Sequence, residues 1–275
     1  MSGDGHVCYH RLFLMSDFER AIADLDLDLF SKIDSQSTQH DKQSFLAIQA
    51  AVRKLRPGYK YLEIGSYLGG SIQPHLLDDS CSRIYSIDKR PEKQPDARGF
   101  DYTYLNNSTE RMLEKLRAVA PEKMDKLVTI DGDSRSIATA DIKEKIDLCF
   151  IDGEHTDEAV MADFKFCLEV LNESGCIAFH DAQITYNGIA SCVSYLEAKG
   201  TEFRAYCLPS IVFVIEIGNF PMHNEPAIFE RLVNNHQSYL YSLQDNDHYR
   251  NFANKYPFRM MRNFISRVLG GNVSH

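Results

Sequence analysis

Four side chains in two short stretches are the best equipped for chemistry. Asp152 follows the apolar run 146–151 and opens Asp152-Gly153-Glu154-His155, while His180-Asp181 follows the apolar run 175–179. Short apolar runs bounded by polar turns read as strands buried on both faces. Open α/β sheets take their ligands in the crevice outside the carboxyl ends of such strands. Two carboxylates there, Asp152 and Asp181, suit a hard divalent cation such as Mg2+, which takes oxygen ligands and keeps positions open for substrate oxygens. His155 and His180 carry imidazoles, whose ordinary pKa near neutrality suits proton transfer. Two blander arrangements compete. In one, the carboxylates orient a cofactor amine or a substrate without any metal; in the other, His180 is a strand-end histidine bonded to the backbone.

A second stretch can hold a ligand through its backbone. Lys60-Tyr61-Leu62-Glu63-Ile64-Gly65-Ser66-Tyr67-Leu68-Gly69-Gly70-Ser71 reads as a buried strand, a glycine-rich turn and the start of a helix. Glycines there let the backbone turn tightly and approach a ligand. The next apolar run, Ile84-Tyr85-Ser86-Ile87, ends in Asp88. A glycine-rich first turn with an acid at the end of the following strand is how α/β folds grip an adenosine nucleoside.

These positions require a regular alternation of strand and helix. From Tyr59 the pattern gives five βα units, with strands near 60–64, 83–88, 127–130, 146–151 and 175–179, the third ending in Asp131-Gly132-Asp133-Ser134. The expected helices begin near Ser71 and run to Asp79, begin at Ser108 or Thr109, are capped by Thr156, and stop at Gly200. The runs 202–208 and 211–217 are separated only by Pro209-Ser210, too short for a parallel crossover, so they form an antiparallel hairpin. The expectation is an α/β, doubly wound, mostly parallel seven-stranded sheet. It spans 57–218, between a helical N-terminal extension (1–56) and a helical C-terminal extension (219–275). In the first extension, Ser16 and Glu19 form a capping box ahead of a stripe of Phe18, Ile22, Leu25 and Leu29. A second helix carries Phe45, Ile48, Val52 and Leu55 and stops at Pro57-Gly58. The second extension carries Phe229, Leu232, Val233, Tyr239 and Leu240 on a helix begun by Pro226. Its end is basic and aromatic, and a helix packed on the body is expected there ahead of a membrane-surface helix.

Glu63-x-Gly65-x-x-x-Gly69-Gly70-Ser71 resembles the first motif of class I S-adenosylmethionine-dependent methyltransferases, and the terminal hairpin resembles that fold's antiparallel strand. The similarity covers roughly residues 59–217. It is closest to the small-molecule O-methyltransferases of the catechol and caffeoyl-CoA type and to the broader family that includes macrocin O-methyltransferase. The resemblance implies a Rossmann-like methyltransferase fold that binds S-adenosyl-L-methionine. It places Gly65 and Ser66 against the methionine part, with Glu63 supporting the loop and Gly69, Ser71 and Asp152 completing its surroundings. Asp88 would take the ribose hydroxyls, and Asp133 and Ser134 would flank the adenine. It also implies a divalent cation held by Asp152, Asp181 and His180, and puts His155 where those relatives carry a basic lysine. His180 is a second catalytic candidate. Ala182 stands where the relatives carry an asparagine ligand.

The chain of 275 residues is 44% hydrophobic and 25% charged, with a net charge of −9. Those values fit a globular protein and argue against a general nucleic-acid binder. No apolar run reaches the length of a membrane span, and His10–Met15 is too short and interrupted for a signal peptide. Seven cysteines without a CxxC spacing read as reduced thiols of a cytoplasmic protein. The expected activity is O-methylation of a small-molecule hydroxyl, with metal assistance and a homo-oligomer both left open. Two other classes compete: a metal-dependent hydroxylase on the same fold, and a non-catalytic nucleoside-binding interaction protein.

Overall fold

The computed structural model describes residues 15–233, 255–261 and 264. Its main sheet contains β1 (Tyr59–Ile64), β2 (Cys81–Asp88), β5 (Leu127–Asp131), β6 (Ile146–Ile151), β7 (Leu171–Phe179), β8 (Phe203–Leu208) and β9 (Val212–Ile217). They lie in the order β5-β2-β1-β6-β7-β9-β8. The first five are parallel, β9 runs antiparallel to β7, and β8 pairs antiparallel with β9. The chain leaves β1 toward β2 and later returns to β6 on the other side, so the strand order reverses between β1 and β6. Ligands of open α/β sheets bind at such a switch point. The register pairs Ile64 with Ile151, which brings Gly65 and Asp152, the next residue on each strand, side by side.

Both faces of the sheet are buried, which is why the strands read as continuous apolar runs. Tyr59, Tyr61, Ile84, Leu148, Phe150, Cys176 and Val214 point to one core, and Leu62, Ile64, Ile87, Cys149, Ile151, Ile177 and Ile215 to the other. The first face is covered by α2 (Gln39–Leu55), α3 (Gln73–Leu77) and α4 (Thr109–Val119), with α7 (Pro226–Leu232) alongside. The second face is covered by α5 (Asp157–Val170) and α6 (Tyr186–Lys199). Ala47, Ile48, Ala51 and Val52 of α2 and Ile228 of α7 belong to the same core as the sheet residues, so packing is continuous across positions 56 and 218.

Local structure departs from the sequence expectation in four places. The stripe Phe18–Leu29 is not one helix. The first helix, α1 (Asp17–Ala23), keeps its Ser16–Glu19 capping box but stops as Leu25 turns to φ +52°, and a 3-10 turn at Leu27–Phe30 follows. Helix α3 is only five residues long. The Gln73 amide at its start takes the backbone N–H groups of Lys32 and Ile33 at 3.1 and 2.8 Å, and it donates to the Ile33 carbonyl at 2.7 Å. Strand β7 begins at Leu171, with an irregularity opposite β6 between Ile146 and Leu148. Finally, the expected loop around Pro91, Pro95 and Gly99 contains a small hairpin of β3 (Lys93–Pro95) and β4 (Asp101–Thr103). Tyr239, Leu240 and most of the basic aromatic end lie outside the described residues.

Candidate active site

The glycine turn after β1 can be built only from glycine at its first position. Gly65 has φ +95°, and an added Cβ would lie 2.1 Å from the Asp152 carbonyl oxygen. Its N–H donates to the Ile87 carbonyl at 2.8 Å, fastening the turn to β2. The turn opens onto a cleft of about 350 Å³ lined by residues including Gly65, Asp88, Asp133, Ser134, Glu154 and Asp163. The Asp88 carboxylate accepts from the Tyr67 N–H at 2.8 Å and the Arg90 N–H at 2.7 Å. The Arg90 guanidinium donates to the same carboxylate at 3.3 Å, which leaves one acceptor lone pair, on Oδ1, for a ligand hydroxyl. Asp133 is clamped by Arg135 at 2.6 and 2.7 Å, and that guanidinium holds its carboxyl well below the usual range. The Ser134 hydroxyl turns inward and donates to Asp163.

The remaining cofactor-side residues brace the turn from behind. Glu63 is wholly buried and accepts from the hydroxyls of Tyr61 and Ser71, each at 2.6 Å, tying β1 to the far end of the glycine turn. Burial pushes its carboxyl up to about 7, against the pull of those two donors. Ser66 takes a hydrogen bond from the Ser86 hydroxyl at 2.8 Å, and Gly69, at φ +82°, packs on Leu116. Gly70 presses on the N-terminal segment, where a Cβ would come within 2.7 Å of Ser35. Asp163 was not anticipated, although it sits beside Phe164 in the apolar stripe of α5. Burial raises it to about 7, with the Ser134 hydroxyl pulling the other way.

Across the switch point, the ends of β6 and β7 bring together the four residues expected from the sequence. Nε2 of His155 lies 3.1 Å from Asp181 and 3.6 Å from Asp152, and Nδ1 of His180 lies 3.1 Å from Asp152 and 3.3 Å from Asp181. Among the described residues, the donor atoms of Asp152, His155 and Asp181 all lie within 4.8 Å of one another, so His155, which the expected ligand set did not include, converges with the two carboxylates. The Asp152 side chain faces this cluster, while its carbonyl lies against Gly65 and its neighbours Gly153 and Glu154 line the cleft. Asp181 adopts φ +50°, a left-handed conformation that costs a residue with a side chain about 1–3 kcal/mol.

Charge balance in the cluster follows from contact distance. Burial works against the imidazolium form of His180, but Asp152 and Asp181 outweigh it and hold its pKa well above the ordinary value. His155 is raised in the same sense: burial opposes, and Asp181 and Asp152 prevail. Burial also opposes ionisation of Asp181, yet His180 and His155 hold its carboxyl far below the usual range. Nε2 of both histidines is buried without a hydrogen bond, and the Asp41 oxygen near Nε2 of His180 stands at 3.6 Å, beyond hydrogen-bond reach.

Three contributors escaped the sequence reading. Asp41, fully buried at the start of α2, places a carboxylate oxygen 3.6 Å from Nε2 of His180, and Phe45 sets its ring edge-on to that imidazole at 5.4 Å. The signal was present in Thr38-x-x-Asp41, a capping box whose acid also accepts from Thr38 at 2.6 Å. The β3–β4 hairpin supplies Tyr102, whose ring meets His155 edge-on at 5.6 Å and whose hydroxyl accepts from Arg98 at 2.6 Å. The Ala97 N–H in the hairpin turn donates to the His155 carbonyl at 2.7 Å. Arg90, bonded to Tyr67, Asn107 and Thr109, ties the end of β2 to the glycine turn and the start of α4.

Strand order, glycine cradle and the acid at the end of β2 together make up the fold shared by class I, S-adenosylmethionine-dependent methyltransferases. A family model described as a methyltransferase domain matches residues 62–182, from β1 to just past His180-Asp181. Among solved structures, the calicheamicin methyltransferase CalS11 is similar at 18% identity and a TM-score of 0.51, over 80% of this chain and 100% of that one. The O-methyltransferase NovP is similar at 13% identity and a TM-score of 0.51, over 66% of this chain and 82% of that one. At these identities the likeness is one of fold. No curated protein matches the sequence.

Proposed function

We propose that this methyltransferase acts on a hydroxyl oxygen of a small molecule, and that the Asp152–His155–His180–Asp181 cluster prepares that oxygen. The observation that carries the reading is the contact between Gly65 and the Asp152 carbonyl, which sets the cofactor turn and the acid–imidazole cluster edge to edge. The proteins with similar folds include the calicheamicin methyltransferase CalS11 and the O-methyltransferase NovP, which supports a small-molecule acceptor.

S-adenosylmethionine, when bound, supplies a methyl group on a positively charged sulfur. The chain's own part is alignment and proton removal. Gly65 and Ser66 hold the turn, Asp88 keeps one acceptor lone pair for a hydroxyl, and Asp133 rims the cleft. On the acceptor side, the deprotonated imidazole of His155 takes the hydroxyl proton at Nε2, and Asp181 beside it stabilises the imidazolium that results. The acceptor oxygen forms its bond to the methyl carbon as the carbon–sulfur bond breaks.

The donor set also fits a divalent cation. Two carboxylates and one imidazole converge, with the His155 nitrogen lacking any hydrogen-bond partner. Such a mixed oxygen–nitrogen set suits Mn2+ or Fe2+ better than Mg2+. An ion there would be held by Asp152, His155 and Asp181 and would lower the pKa of an acceptor hydroxyl, leaving His180 as the nearest base. The reading is tested by calorimetry with S-adenosylhomocysteine and by release of that product with sugar and phenol acceptors. Unchanged product affinity in Asp88→Ala would remove the cofactor assignment. Full turnover after exhaustive chelation would remove the ion and restore His155 as the base.

A further inference from the structure

Asp163 of α5 is only 6% exposed, yet it lines the cofactor cleft beside Ser134, Asp133 and Gly153. The Ser134 hydroxyl, equally buried, donates to its Oδ1. No described residue donates to Oδ2. That oxygen lies over Gly153, 3.2 Å from where a Cβ would stand, so the bare backbone there leaves it open to the cleft. A buried carboxylate oxygen without a donor is costly until a ligand brings one.

The connectivity of a nucleoside says which part of the ligand reaches this oxygen. Ribose stands between the 5′ substituent and the base. With the 5′ substituent at the glycine turn and the ribose at Asp88, the base falls beyond Asp88. Strand β5 adjoins β2 there and pairs Asp131 with Asp88, so the loop carrying Asp133 and Ser134 borders the ribose acid. Asp133 is poorly equipped to read a base. Arg135 takes both its oxygens, at 2.7 and 2.6 Å, and its side chain is 28% exposed, so water can satisfy whatever a wrong base leaves unpaired. Around Asp163 water has little access, and an unpaired group there is penalised in full.

We propose that Asp163 selects the purine of the cofactor: its Oδ2 accepts a hydrogen from the 6-amino group of adenine, while Ser134 holds the carboxylate in place through Oδ1. The proposal rests on the S-adenosylmethionine reading of the cleft. A 6-oxo purine would set an acceptor against an acceptor at the same point. Gly153 takes part by lacking a side chain, since a Cβ there would cover Oδ2 from the cleft.

The test is calorimetry of the full chain with S-adenosylhomocysteine and with its 6-oxo counterpart, S-inosylhomocysteine. It is run near pH 8, above the value of about 7 to which burial raises this carboxyl, so that Oδ2 is an acceptor only. The wild type is expected to bind the adenine compound at least about tenfold more tightly. Asp163→Asn keeps the size of the side chain and an oxygen for Ser134, and it turns an amide donor toward the base. It should narrow that ratio to about threefold or less, or invert it. Should its thermal melt fall away from that of the wild type, Ser134→Ala, which frees Asp163 from its anchor, is read in the same way. A purely structural role would lower both affinities by one factor and leave the ratio intact, which would overturn the proposal. Equal binding of the two compounds by the wild type would overturn it as well, with the cofactor reading still standing. Absence of S-adenosylhomocysteine binding by the wild type would remove the cofactor reading and this proposal with it.

Discussion

On the β1–β2 side of the crevice, the buried carboxylates Glu63 and Asp163 meet only hydroxyl donors; on the β6–β7 side, Asp181 lies between two imidazoles. Desolvation acts on all three. Without a cation in contact it prevails, and Glu63 and Asp163 are pushed up to about 7. With imidazoles within 3.1 and 3.3 Å, it is outweighed and Asp181 stays ionised. Burial alone therefore does not decide the charge of an acid; the nearest partner does. One side of the crevice is a frame whose buried acids meet hydroxyls, and the other, the proposed reaction centre, holds an acid that meets imidazoles.

The largest effect is expected from Gly65→Ala, which strikes both sides at once. The new methyl group must displace the Asp152 carbonyl, and the turn also needs φ +95°. Loss of about 2–4 kcal/mol of stability and of all cofactor binding is expected, read by denaturant unfolding and calorimetry. Wild-type melting would show that the two sides are not in contact. Next, His155→Ala should lower methyl transfer by about 10²–10⁴-fold while sparing product affinity, separating reaction centre from frame. A matched loss of affinity would merge them. Asp88→Ala should weaken S-adenosylhomocysteine binding by about tenfold or more, because Tyr67 and Arg90 lose their common acceptor along with any ligand hydroxyl.

The smallest effect concerns the frame alone. Glu63 has its folded pKa raised from 4.5 to about 7, so it favours the folded state fully below about 4.5. That contribution is lost as pH rises through about 7. Glu63→Gln mimics the protonated form, and both hydroxyl partners can still bond to it. The variant should match the wild type near pH 4.5 and exceed it by about 1–2 kcal/mol near pH 8. Parallel pH profiles in urea unfolding would show that Glu63 is ionised in the folded protein.

Much of this arrangement was legible in the sequence because the signals are local. Strand ends place Gly65, Asp88, Asp152 and Asp181, and both-face burial keeps the strands apolar enough to count. Caps at Ser16, Ser108 and Thr156 marked helix starts correctly. What escaped depends on contacts distant in the chain. Asp41 reaches His180 across 139 positions, and nothing near Asp41 in the sequence reports that. The hairpin at 93–103 is short and proline-bearing, so its alternation is too brief to register. The placement of His155 ahead of His180 in the converging set depends on ring direction, which spacing along one strand end does not specify.

Residues 30–45 touch both sides of the crevice: the Gln73 amide binds 30–33, Ser35 backs Gly70, and Asp41 and Phe45 flank His180. The change from helices to alternating strands near position 56 is therefore a change of pattern and not a seam. Trimming the chain there would uncover the glycine turn and strip one wall from the imidazole. Exchanging this segment with that of another methyltransferase would carry part of the reaction centre along with it. Support for the glycine turn and support for the His180 imidazole are written into the same stretch, and neither can be altered there without the other.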